Sequence, residues 1–310
     1  MNVRFFNQLQ VMLMPLLCLS FYIEQLKKYK QAAMLAFSVL WLILLQSEAR
    51  GALLAMVVAA FVVYSFLPVD LRKAFIRPII KAVALGTLLW LVLIIIIPLF
   101  IFDSQIWQLR TNSSGRIDMW IYILQTIPEC VWLGYGPMSF AWAEARPLPN
   151  AHPHNALLQV LYEFGVFVFI LLASWSVIKL RSILKRLKLL VAESSEHLAE
   201  KPQSCINKIP DTDSGRDTDT TDIVLVFALC AIWIYAMFDG VIVMPLSQAL
   251  LVALLALNCH QYQPRVIALP LKVTLVATLI TCSALLITSL GDEALDKQLY
   301  PRLWLTGIIN

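Results

Sequence analysis

Charge is scarce in this chain. Lys, Arg, Asp and Glu make up 14% of its 310 residues, and they cluster between apolar runs. The net charge of +4 therefore reflects membrane topology and is not a nucleic-acid signal. Histidine is rarer still, at four. The six cysteines, Cys18, Cys130, Cys205, Cys230, Cys259 and Cys282, are scattered, with no CxxC and no Cys/His ligand spacing. That pattern gives neither a disulfide framework nor a metal site. No small-residue cleavage site follows Arg4 in the opening residues, so no cleaved leader is expected. No internal repeat is visible. Apolar side chains are abundant, at 60% of residues with a mean hydropathy of +0.76. Soluble domains hold about 45–50%, so the chain reads as an all-α integral membrane protein.

Apolar runs of spanning length or nearly so number about eight. They fall near 9–26, 32–48, 51–67, 79–102, 156–178, 223–241, 246–262 and 269–290, and make 1–310 a single polytopic domain. The loops carrying Lys27, Lys28, Lys30, Arg72, Lys73, Arg77, Lys81, the basic run from Lys179, Arg265 and Lys272 hold 17 of the 24 basic residues. By the positive-inside bias they are cytoplasmic. The alternate loops hold only Arg4, Arg50, Arg110, Arg116, Arg146, Lys297 and Arg302, so they and both termini face outward. Residues 179–190 read as a basic amphipathic helix attracted to anionic lipid, and 192–222 as a disordered cytoplasmic linker. Within it, Asp211-Thr212-Asp213 and Asp217-Thr218-Asp219 have the DxD spacing that some glycosyltransferases use to hold a metal. Their low-complexity setting favours a solvated linker.

The outward loop 103–155 is expected to be functional, because a connector of that length is rarely only a connector. Ile117, Trp120, Ile121, Leu124 and Ile127 recur at helical spacing and predict an amphipathic helix in the outer interface. Pro128 ends it, and Gly134-Tyr135-Gly136-Pro137 predicts a tight turn.

Four polar features lie on the outward face: Arg50 opening the third span, Arg116 and Asp118 opening the loop helix, His152, His154 and Asn155 ahead of the fifth span, and Asp239 in the hairpin Phe238-Asp239-Gly240. Outward arginines are few, so each needs a reason. Arg50 is either a helix-end arginine snorkelling to headgroups or part of an anion clamp. Two or three arginines in a partly dry site hold a diphosphate by bidentate, charge-assisted hydrogen bonds. A histidine such as His154 titrates near neutral pH and suits a general base taking a hydroxyl proton. The alternative is a histidine that caps the next helix. His152 is the weaker candidate, with Pro153 fixing its geometry relative to His154.

In order along the chain, Glu48-Ala49-Arg50-Gly51, Gly115-Arg116-x-x-x-Trp120, Leu133-Gly134-Tyr135-Gly136-Pro137 and His154-Asn155-x-x-Leu158-Gln159-x-x-x-Glu163-x-Gly165 resemble the O-antigen ligase/polymerase superfamily of bacterial envelope glycosyltransferases. The resemblance covers roughly 35–180. It implies a multi-pass inner-membrane enzyme whose periplasmic loop, 103–155, carries catalysis. It implies transfer of a glycan from undecaprenyl diphosphate to an acceptor, without metal, nucleotide sugar or other cofactor. Arg50 and Arg116 would contact the diphosphate, with Arg4 a further clamp candidate, and His154 would activate the acceptor hydroxyl. His152, Asn155, Asp118, Gly134, Gly136, Glu163 and Asp239 would support them. The expected partners are the lipid-linked glycan, a lipid A-core, glycan or protein acceptor, and membrane lipid. Family members commonly have ten or more spans. The stretch Asn2 to Gln10 reads like a loop between spans, and the spans beyond eight would lie upstream of it.

An O-antigen ligase acting in lipopolysaccharide biosynthesis is the leading expectation. A repeat-unit polymerase and an O-linked protein oligosaccharyltransferase share the donor and differ in acceptor. An envelope-lipid transporter would place charge at mid-membrane between broken helices, whereas these spans are nearly charge-free at their centres. A non-catalytic scaffold is the remaining alternative.

Overall fold

A computed structural model describes residues 3–102, 115–137, 139–143, 145–148, 152–199, 213–243 and 245–258, and 269–284 in pieces. The described residues are helical, with no strand among them. The chain runs through α1 (Val3–Leu17), α2 (Leu19–Tyr22), a 3-10 turn (Glu24–Tyr29), α3 (Lys30–Gln46), α4 (Arg50–Phe66), α5 (Val69–Trp90), a π turn (Leu91–Ile96) and α6 (Ile97–Phe102). Then follow α7 (Arg116–Thr126), a 3-10 turn (Ile127–Cys130), α8 (Ser139–Trp142), α9 (Ala156–Ala199), α10 (Asp213–Tyr235), a 3-10 turn (Val241–Val243) and α11 (Pro245–Asn258).

The centre of the bundle is α10. Every residue from Asp222 to Ile232 is buried, and a helix that is apolar all round belongs inside. It packs on α1, α4, α9 and α11. The face of α4 turned to the core is built of small residues, Gly51, Ala52, Ala55, Ala59 and Ala60. Small side chains let helix backbones approach, which is how apolar helices associate where lipid competes with Leu for contact. A second close crossing joins α3 to α5. There Ser38 Oγ donates to the Ala82 carbonyl at 2.9 Å, and a Cβ on Gly86 would stand 2.5 Å from the Ser38 carbonyl oxygen.

Three helical stretches are long and apolar enough to cross a bilayer, at 24–46, 71–101 and 156–185. Four shorter apolar helices, Phe6–Tyr22, Arg50–Phe66, Thr221–Tyr235 and Leu246–Leu257, sit at four other expected spans. The expectation of about eight spans is thus met by three of full length. At about 1.5 Å per residue, the 17 residues of α4 reach about 26 Å, short of a hydrocarbon core of about 30 Å. Pro68 and the Glu48 turn, with φ of 52°, limit α4 at its two ends. The eighth expected span, 269–290, lies largely outside the described residues.

Three local expectations change. Val3–Leu17 is a helix, so Asn2 to Gln10 is not a loop beyond its first residue. The basic segment 179–190 is no separate surface helix but a continuation of α9, which runs to Ala199. The linker expected over 192–222 shortens, because α10 begins at Asp213. Asp211 and Thr212 lie outside the described residues. So do the side chains of Asp213, Asp217, Thr218 and Asp219.

Candidate functional site

Where α10 ends, the chain turns through 236–239 and places Asp239 at a crossing of four other segments. Its carboxylate is 3% exposed and accepts four hydrogen bonds. Oδ1 takes the Gly240 N–H at 2.8 Å and stands 3.1 Å from His154 Nδ1. Oδ2 takes the Tyr235 hydroxyl at 2.7 Å and Gln8 Nε2 at 3.3 Å. Gln8 Oε1 in turn accepts the Ser247 hydroxyl at 2.5 Å. One carboxylate thereby ties α1, the segment before α9, α10 and α11 together. Burial alone would raise the Asp239 pKa. The hydrogen bond from His154 and the attraction of its charged form, with the donors Tyr235 and Gly240, outweigh it and hold the carboxyl well below its usual range. An ionised Asp239 accepts from His154, so Nδ1 carries a ring proton, and in the neutral ring the lone pair is on Nε2.

His154 is buried and held in the left-handed region, with φ of 54°. Such backbone is uncommon for a residue other than glycine and is stored where surrounding structure enforces it. Three contacts do so here. Trp120 Nε1 on α7 donates to the Pro153 carbonyl at 2.9 Å. The Ala156 N–H donates to the Ala236 carbonyl at 2.9 Å. Asn155 Oδ1 accepts the Leu158 N–H at 3.0 Å. The cap of α9 is thus Asn155, which leaves the His154 ring to face Asp239. His152 is also buried, its ring 4.3 Å from that of His154. One ligand atom from each of His152, His154 and Asp239 lies within 4.8 Å of the others, so these are the residues that could hold a cation.

Arg50 and Arg116 both stand at helix starts. Arg50 is the first residue of α4 and exposed. Gly51 beside it lies so near that a Cβ there would stand 2.7 Å from Phe238 Cβ, next to Asp239. Arg116, half-buried, opens α7 one turn before Trp120, and Asp118 is exposed on the same first turn. The inward stripe of α7 is Met119 and Ile123, continued by Ile127 of the following turn and packed with Phe140 and Tyr162. Ile117, Ile121 and Leu124, expected on the apolar face, form a second, exposed apolar stripe. Arg4 lies in α1 with its side chain outside the described residues.

The glycine turn does a different job from the one its position suggests. Gly165 breaks α9, with φ of 77° and ψ of −179°. The opened backbone is satisfied from the turn: Val166 N–H to the Val131 carbonyl at 2.8 Å, Tyr135 N–H to Tyr162 at 2.9 Å and Gly136 N–H to Glu163 at 2.9 Å. A Cβ on Gly134 would be 2.6 Å from the Glu163 carbonyl carbon. Buried Glu163 accepts from Gln159 Nε2 at 3.3 Å. Gly134, Gly136 and Glu163 are therefore joined by a backbone clasp on α9. Sequence reasoning missed Gln8, Tyr235 and Ser247. The available signal was three amides, Asn7, Gln8 and Gln10, in an otherwise apolar run, an arrangement that needs internal partners in a membrane helix.

Residues 33–173 match the family model described as O-Antigen ligase. That stretch, similar to the O-antigen ligase family, is a little under half of the 310 residues. It includes Arg50, Arg116, the glycine turn, His152, His154 and Glu163, and stops before Tyr235, Asp239 and Ser247. The similarity suggests a membrane-associated ligase or polymerase type of glycosyltransferase, a class that works on a lipid-linked glycan and an acceptor. No curated protein and no solved structure matches the chain.

Proposed function

We propose that this protein transfers a glycan from undecaprenyl diphosphate to a hydroxyl of lipid A-core at the periplasmic face of the inner membrane. The observation that carries the reading is the buried His154–Asp239 pair, 3.1 Å apart, packed against the helix start that bears Arg50. Asp239 fixes the ring so that Nε2 takes the acceptor proton. The acceptor oxygen forms its bond to the anomeric carbon as the bond from that carbon to the diphosphate breaks. Arg50 and Arg116 hold the departing diphosphate, whose charge grows as it leaves. The His154–Asp239 pair lies past the end of α10, which favours chemistry at a membrane face over translocation.

The test is the lipopolysaccharide pattern of the source bacterium with the gene disrupted and then complemented. Core-only lipopolysaccharide with polymer left on undecaprenyl diphosphate, restored by wild type and not by His154→Ala, is the expected outcome. Core bearing one repeat unit would instead mean a polymerase. An intact ladder with a protein losing its glycan would mean an oligosaccharyltransferase. Full restoration by His154→Ala would sink the catalytic reading.

A further inference from the structure

Two imidazoles and a carboxylate within 4.8 Å of one another are a ligand set as well as a hydrogen-bonded pair. Nitrogen donors exclude calcium and magnesium, which take oxygen ligands, in Ca²⁺'s case six to eight of them. Imidazole with carboxylate suits zinc, and three protein ligands with a fourth position left over is the pattern of open zinc sites. Zinc bonds of about 2.0–2.1 Å put tetrahedral ligand atoms about 3.3–3.4 Å apart. The Nδ1–Oδ1 separation of 3.1 Å is already close to that edge. His152, itself buried, completes the set from two residues away, across Pro153. Asp239 would keep its bonds from Gly240, Tyr235 and Gln8 while turning one oxygen to the metal. Such outer hydrogen bonds orient and support carboxylate ligands in metal sites.

We propose that His152, His154 and Asp239 form a zinc-binding site, and that zinc bound there inhibits the enzyme. The inhibitory half rests on His154 being the base; the binding half does not. When Nδ1 gives its lone pair to zinc, the single proton of the neutral ring passes through water to Nε2. Nε2 is then a donor and can no longer take the acceptor's proton. Zinc acts as an occupant of the base's seat.

The experiment titrates zinc into the full chain, purified in detergent without a histidine tag, against a chromophoric zinc chelator. One equivalent per chain is expected. Changing an outer-shell residue of a metal site costs about 10–100-fold in affinity, so loss of a ligand by His152→Gln or Asp239→Asn should cost at least about 100-fold. The pair His197→Gln with His260→Gln should leave binding intact. No binding by wild type, or equal binding by His152→Gln and Asp239→Asn in protein that elutes as wild type does, overturns the site. A transfer assay with and without zinc tests the second half. Loss of transfer that a chelator reverses supports it. Zinc bound at this site with undiminished transfer overturns the inhibition. A zinc-free enzyme with no transfer activity would count against the proposed function and leave the binding result standing.

Discussion

Asp239 is the residue on which the site turns, and its ionisation makes a pH-dependent claim. Its folded pKa is depressed below the ordinary 3.8. A depressed carboxyl stabilises the fold above the unfolded value, and that stabilisation is lost as pH falls through the folded one. The difference in thermal stability between wild type and Asp239→Asn should therefore narrow on acidification below about pH 4. A gap that stays constant or widens below about pH 4 would contradict an ionised Asp239. Both members of the pair were legible in the sequence, because outward polar residues are so few. The ties that hold them were not. Gln8 reaches Asp239 across 231 positions, and no local pattern announces a contact of that range. Asn155 was visible only as a neighbour of His154. Its role as the cap of α9 depends on where that helix starts.

At the scale of elements, the break in α9 is where loop and helix are joined. Gly165 adopts φ and ψ that only glycine reaches readily, and a Cβ there would also run into the Trp132 carbonyl. Backbone held in such a region costs on the order of 1–3 kcal/mol for other residues, and the collision adds to it. Gly136 also has positive φ, 95°, but a Cβ on it would meet open space. Gly165→Ala should thus lower the unfolding temperature by several degrees more than Gly136→Ala does. Equal effects would mean that strain alone, and not the clasp on Trp132, sets the cost. The turn over 134–137 was legible from its glycines, and Pro128 marks the end of α7 at Thr126. The partner of the turn was not legible, since one glycine in an apolar run is compatible with an unbroken helix. The first residues misled for a related reason. Their amides interrupt the apolar pattern of a lipid-facing helix, yet in α1 they point inward, where Gln8 meets Asp239 and Gln10 Nε2 meets the Leu40 carbonyl at 3.0 Å.

For the whole molecule, the membrane class followed from composition, while span lengths depended on turns and helix breaks that hydropathy does not resolve. Orientation is the property on which the proposed function depends most, because a lipid-linked glycan meets lipid A-core only on the periplasmic side. On the orientation expected from the Lys and Arg bias, the arginine-bearing helix starts and His154 lie outside. Cys130 offers a direct check, being exposed at the end of the short turn after α7, while Cys18 and Cys230 are buried. In single-cysteine variants, a membrane-impermeant maleimide should label Cys130 once the outer membrane alone is permeabilised. Cys205, in the segment expected on the cytoplasmic side, should react only after the inner membrane is opened. The reverse order would place His154 and Asp239 on the cytoplasmic face, where finished O-antigen on its lipid carrier and the lipid A-core acceptor do not meet for ligation, and a ligase acting in the periplasm would no longer be tenable.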